Sequence, residues 1–124
     1  MNSRLGEQAE REIADELNRR GWWVLRIPRN AQGQQPFDCI AVKGWKVLAF
    51  DVKNVHGGEF FPLSRIEPDQ EIAMNIFAEK TDYTPGFLLR DAEGHWRWLS
   101  WRKVLRAKKA GEKSIPIAGC QRVL

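Results

Sequence analysis

The sequence predicts an α/β fold that opens on a helix, and three patterns lead to that expectation. Leu5, Ala9, Ile13 and Leu17 recur every four residues with Glu and Arg between them, the spacing of an amphipathic helix. Two apolar runs, Phe37 to Val42 and Lys46 to Val52, are separated only by Lys43-Gly44-Trp45, a connection short enough to force an antiparallel hairpin. A second helical stretch follows, and after Pro85 come two more runs rich in strand formers. The chain has 124 residues, enough to bury one ordinary core, and no linker, repeat or low-complexity segment divides it. Residues 1–124 are therefore expected to form a single domain.

Taken in order, residues 4–20 read as the first helix, with Ser3 as its cap and Gly21 as its stop. Trp22 to Ile27 reads as a strand that ends at Pro28, and residues 29–35 are polar and loop-like. The hairpin follows, its mostly apolar strands suggesting burial on both faces. A connector at His56-Gly57-Gly58-Glu59 leads to the second helix, Glu67 to Lys80, marked by Ile72, Ala73, Met74, Ile76 and Phe77. Gly86 to Arg90 is the fourth strand, Asp91-Ala92-Glu93-Gly94 a turn, and His95 to Leu99 the fifth strand. Ser100 can cap a short third helix running to about Lys109.

Composition narrows the function classes. Hydrophobic residues are 43% and charged residues 29% of the chain, the balance of a soluble globular protein rather than a disordered or fibrous one. No apolar run approaches the roughly 20 residues of a membrane span, and Met1 to Glu7 lacks the apolar core of a signal peptide. Cys39 sits in an apolar run and is expected to be a buried free thiol, which fits a reducing compartment. A cytoplasmic location is expected. His56 and His95 are isolated, with no second His or Cys at ligand spacing, so zinc is not expected. The net charge is +4, and the basic residues cluster at Arg19 to Arg29 and again at Arg97 to Lys109. That distribution suits a polyanionic partner.

The chemistry-bearing pattern lies in the hairpin. Asp38 opens its first strand and Asp51-Val52-Lys53 closes its second. Residues two apart in a strand share a face, so Asp51 and Lys53 point the same way, and the hairpin brings Asp38 beside them at its open end. Two carboxylates are enough for a hard divalent cation whose other ligands are water and substrate phosphate. A neighbouring lysine can then orient the attacking water or stabilise charge developing on phosphorus-bound oxygens. An acid-x-Lys triplet alone also occurs as a same-face ion pair on an ordinary exposed sheet. Here it follows the apolar Val47-Leu48-Ala49-Phe50, where charges are costly unless paired or bound to metal. On the first helix, Glu10 and Glu12 flank the apolar stripe while Glu7 points away from it, so the helix geometry leaves Glu10 and Glu12 as candidates.

Pro36-Phe37-Asp38 followed by Asp51-Val52-Lys53 resembles the signature of the PD-(D/E)XK nucleases. Gly6 to Ile13 and Gly21 to Arg26 resemble the opening helix and first strand of the archaeal-type Holliday junction resolvases, Hjc. Phe61 to Ile66 and Asp69-Gln70 are similar to the corresponding part of the bacterial RecU resolvases. The resemblance implies a restriction-endonuclease-like core, a central mixed five-stranded sheet flanked by helices. It also implies a homodimer that uses Mg²⁺ or Mn²⁺ to place paired nicks in four-way DNA junctions. By position it assigns Glu10, Asp38 and Asp51 to the metal, Lys53 to catalysis, and Gln70 to the vicinity of the active site. Two departures stand out: the turn at Lys43-Gly44-Trp45 has no room for the RecU stalk, and the loop at residues 29–35 differs from the short serine-containing loop of Hjc.

Arg26, Arg29, Lys43 and His56 are the candidates for DNA-backbone contacts, which supply affinity rather than sequence reading. Trp22, Trp23, Trp96 and Trp98 lie in strand patterns and are expected mostly in the core; Trp96 and Trp98 share a face and offer a secondary option as a dimer contact or base-stacking platform. Two other functions fit the same residues: a restriction- or repair-type endonuclease on this fold, and a basic DNA-binding module whose carboxylates are structural.

Overall fold

The computed structural model describes residues 3–28, 37–55 and 58–124. Helix α1 (Ser3–Arg19) is followed by strands β1 (Trp23–Arg26), β2 (Cys39–Lys43), β3 (Lys46–Asn54) and β4 (Phe60–Pro62). A 3-10 turn (Leu63–Arg65) leads into α2 (Pro68–Lys80), then β5 (Gly86–Arg90), β6 (Trp96–Ser100) and α3 (Trp101–Lys109). The chain closes with β7 (Ser114–Pro116), a 3-10 turn (Ile117–Gly119) and β8 (Gln121–Val123). The main sheet has six strands in the order β1-β2-β3-β5-β6-β8, and β4 pairs with β7 in a separate ribbon. Among the described residues only β3 and β5 run parallel, and their crossover is the segment that carries α2, as a parallel pair requires.

Strand alternation divides the core into two clusters. Ala49, Phe87 and Leu89 join Phe61, Met74, Leu99, Trp101 and Val104 in one. Phe50 and Leu88 join Ala9, Ile13, Leu17, Cys39, Ala41 and Trp96 in the other, under α1. The central β5 is therefore buried on both faces over Gly86–Leu89. Gly86 is required there: a Cβ would lie 2.5 Å from the Leu99 carbonyl oxygen and 2.7 Å from the Trp98 ring. The hairpin turn places Gly44 at φ +60, a conformation that glycine adopts at no steric cost.

The sheet has one strand more than the five expected. Gln121-Arg122-Val123 is short, polar and mostly exposed, and as an edge strand on β6 it needs no apolar alternation. The ribbon strands β4 and β7 are equally short. In α2 the expected apolar residues do not all face inward: Met74 is buried, whereas Ile72 is 60% and Ile76 48% exposed. Trp96 is buried, and Trp22 and Trp98 pack partly buried against the α1-side cluster, while Trp23 on the edge strand is 61% exposed. Ser100 caps α3 by accepting from the Lys103 amide, as the sequence suggests. Cys39 and Cys120 are buried free thiols. The Ser3 cap, the loop at 29–35, Pro36 and His56 fall outside what is described. Among the described residues no helix is long and apolar enough to cross a membrane.

Candidate active site

The open end of the β2–β3 hairpin clasps two carboxylates with backbone amides. The register pairs Cys39 with Phe50, which sets Asp38 opposite Asp51 one step further out. The Asp38 amide donates to Asp51 Oδ1 at 3.1 Å and to the Phe50 carbonyl at 3.1 Å, and the Val52 amide donates to Asp38 Oδ2 at 2.8 Å. Each carboxylate is thus oriented by the opposite strand. Asp38 is 7% and Asp51 1% exposed, and Asp51 Oδ2 is buried with no hydrogen-bond partner among the described residues. A buried carboxylate oxygen without a donor costs free energy unless something occupies its lone pairs.

Lys53, two residues past Asp51 on the same strand face, is held from the α2 side. Its Nζ donates to Gln70 Oε1 at 3.2 Å and to the Arg65 carbonyl at 3.4 Å. Gln70 Oε1 also accepts from the Glu67 amide at 3.1 Å, as part of a capping box at the start of α2. The box therefore fixes the helix start and the lysine together. Gln70 thus stands beside the lysine.

The remaining candidates separate. Glu10 is buried on α1 and stands 3.9 Å from Arg26, which is in register with Cys39 at the end of β1. Arg26 is thus next to the site but within ion-pair range of Glu10. Glu12, the other helix candidate, pairs with Arg90 instead. Among the described residues no group of three His, Cys, Asp or Glu side chains is arranged to hold a cation; the pair brought together is Asp38 and Asp51. Lys43 is not brought to this pair. It sits at the turn end of the hairpin, donating to the Arg20 carbonyl at 2.8 Å and so tying the hairpin to the end of α1. Arg29 and His56 lie outside the described residues. Arg65, absent from the sequence candidates, lies against Lys53.

Residues 1–118 match the model of the family described as archaeal Holliday junction resolvase (Hjc). The chain belongs to the Hjc family. It is accordingly a junction-resolving nuclease, hydrolysing phosphodiester bonds in DNA, and nucleases of the Hjc type depend on a metal. Among solved structures it is similar to Archaeoglobus fulgidus Hjc, a Holliday junction resolvase from an archaeal hyperthermophile, at TM-score 0.70 and 21% identity, over 94% of this chain and 95% of that one. The fold is therefore restriction-endonuclease-like. A search of curated proteins gives no match.

The electrostatics of this Hjc-family site fit a divalent cation. Burial, then the neighbouring Asp38, pushes the Asp51 carboxyl up to about 8, with Glu10 adding to the rise and Lys53 and the Asp38 amide opposing it. Burial lowers Lys53, with Asp51 opposing and Arg65 assisting. Burial raises the Cys39 thiol to about 12, with Asp38 and Glu10 adding to it. Two acidic groups are thus buried side by side, the raised Asp51 carboxyl holding a proton that a hard cation can replace on the same oxygens.

A pH dependence follows. The Asp51 carboxyl ordinarily titrates near 3.8 and in the fold near 8, so between these values the cation-free folded state holds a proton that the unfolded chain releases. The contribution of Asp51 to stability is fully present below the lower value and lost as pH rises through the upper. In chelator, the stability of wild type relative to Asp51→Asn should fall from about pH 4 to about pH 8, as denaturant titrations will report. A divalent cation should reverse the fall, stabilising by roughly 2.7 kcal/mol at a hundredfold excess over Kd, and release protons on binding. An unchanged difference across that range would exclude the buried, protonated carboxyl.

Proposed function

We propose that the chain, acting as a single domain over residues 1–124, uses Mg²⁺ or Mn²⁺ to resolve four-way DNA junctions by paired nicks as a homodimer. The observation that carries this reading is the Asp38–Asp51 clasp with its unpartnered buried oxygen and Lys53 on the same face. Asp38 and Asp51 would hold the cation, with Glu10 as an outer acidic group that joins by moving off Arg26. A cation held there would supply a lowered water pKa and charge to offset that of the phosphoryl oxygens. Lys53, fixed by Gln70 and the Arg65 carbonyl, presents its ammonium to the oxygens on which negative charge develops. Arg26, beside the site, would contact the DNA backbone, and Arg29 and His56, three residues beyond Arg26 and Lys53 in the sequence, are further candidates for such contacts; Lys43, at the far end of the hairpin, would reach only a distant phosphate.

Symmetry supports the dimer. A four-way junction has approximate two-fold symmetry, one chain carries one Asp38/Asp51/Lys53 site, and an isologous dimer presents two at a fixed separation. Ile72 and Ile76, one turn apart on α2 and exposed, supply apolar surface suited to such an interface. A DNA-acting role places the protein in the cytoplasm or nucleoid. Labelled four-way junction and linear duplex, each with and without Mg²⁺, test the reading. Paired nicks confined to the junction and to the Mg²⁺ arms are expected, with sedimentation giving twice the 14.4 kDa chain mass. Equal cutting of duplex by a monomer would leave a nuclease without the resolvase role.

A further inference from the structure

Arg65 closes the 3-10 turn between β4 and α2, and it touches the site in two ways. Its carbonyl accepts from Lys53 Nζ at 3.4 Å, and its guanidinium Nη1 donates to the carbonyl of Asn54, the residue after Lys53, at 3.2 Å. The guanidinium carbon also lies 5.7 Å from the ring centroid of Phe61, itself fully buried. A long, flexible side chain is thus held at both its backbone and its head.

What it lacks is an acid. Arg26 stands near Glu10, Arg90 pairs with Glu12 and Arg97 with Asp91, whereas Arg65 has no carboxylate within ion-pair distance among the described residues and its side chain is exposed. A guanidinium has five N–H donors, and among the described residues a single one is used here, on Asn54. An exposed arginine ordinarily loses side-chain entropy when it engages a ligand; the contacts to Asn54 and Phe61 have already removed much of that freedom. Planar, bidentate donors suit a phosphate better than an ammonium does.

We propose that Arg65 is a substrate-binding residue, whose guanidinium grips a phosphate of the DNA strand next to the one cleaved at Asp38 and Asp51. The same residue holds Lys53 through its backbone carbonyl, so the grip on the strand and the position of the lysine are set by one short turn. The assignment rests on the junction-nuclease reading above and deepens it, by naming the residue that registers the strand against the site.

The test compares wild type, Arg65→Ala and Arg65→Lys as full chains. Junction affinity is measured in chelator over a series of salt concentrations, and single-turnover cleavage is measured in Mg²⁺. Loss of one phosphate contact should weaken Arg65→Ala binding about tenfold and make the slope of log affinity against log salt shallower by about one. Arg65→Lys should restore the slope but only part of the affinity. Cleavage by Arg65→Ala should suffer mainly in half-saturating concentration, with a thermal midpoint close to wild type. Wild-type affinity and slope in Arg65→Ala would overturn the proposal, and so would a lowered thermal midpoint with an unchanged slope, the mark of a purely structural turn. A wild-type chain that binds but never nicks junctions would instead sink the nuclease reading, and the salt slopes would still decide whether Arg65 touches phosphate.

Discussion

Asp51→Asn should abolish junction cleavage while leaving the fold and DNA binding in place. The substitution keeps the volume of a side chain that is 1% exposed, and the asparagine oxygen can still accept from the Asp38 amide. What it removes is the negative charge and the second buried oxygen, the two properties that a cation needs. Hydrogen-bond partners of metal ligands are themselves worth roughly 10–100-fold, so losing a ligand should cost more, on the order of a thousandfold or beyond. Asp38→Asn should behave alike, because Asp38 Oδ2 is held by the Val52 amide and an asparagine oxygen can accept there too. Junction affinity in chelator should rise slightly in Asp38→Asn, since a carboxylate beside the phosphate repels it, and in Asp51→Asn only above about pH 8, where the Asp51 carboxyl is ionised. Titration calorimetry with Mn²⁺ separates this from misfolding: cation binding should vanish from a protein whose unfolding remains cooperative. Cleavage at the wild-type rate by either variant would remove the metal assignment.

The hairpin site was legible because antiparallel register is arithmetic. A short turn at Lys43-Gly44-Trp45 makes Asp38 and Asp51 neighbours, and period-two alternation adds Lys53. The same arithmetic applies to Lys43. A strand rises about 3.4 Å per residue, so a residue at the turn is some 17 Å from Asp38, too far for a phosphate at the cleavage point. Glu10 is harder to read, because a helix period gives a face and not a partner, and Arg26 arrives beside it only through the β1–β2 pairing. Arg65 lies inside the Phe61 to Ile66 segment that resembles RecU, yet nothing in that segment singles it out. It acts through its own carbonyl and by stacking on Phe61, and neither contact depends on a period or a motif spacing. The strand β8 escaped notice for a related reason: backbone pairing along an edge asks nothing of Gln121 or Arg122. In α2, apolar residues occur on more than one face, so periodicity places a helix but does not say that Ile72 and Ile76 are left outside the core.

Lys53→Ala should lose cleavage while keeping the cation. The ammonium is held by neutral oxygens on the α2 side, Gln70 Oε1 and the Arg65 carbonyl, which leaves its charge available for the oxygens of a reacting phosphate. Removing one preorganised donor from such a site costs roughly 10²–10³-fold in rate, and an ammonium should stand at the upper end. Mn²⁺ binding should survive and the cation should bind somewhat more tightly, because a positive charge beside Asp51 is gone; without it the Asp51 carboxyl rises further, so the gain should appear mainly above pH 8. Gln70→Ala is the companion variant. It leaves the ammonium present but frees it from one of its two acceptors, so the rate should fall less than in Lys53→Ala, by about tenfold. The Glu67 amide would lose its partner as well, at a cost of about 1 kcal/mol. If the cation were lost with Lys53 while turnover persisted, the lysine would belong to the structure of the site and the chemistry would have to come from another residue.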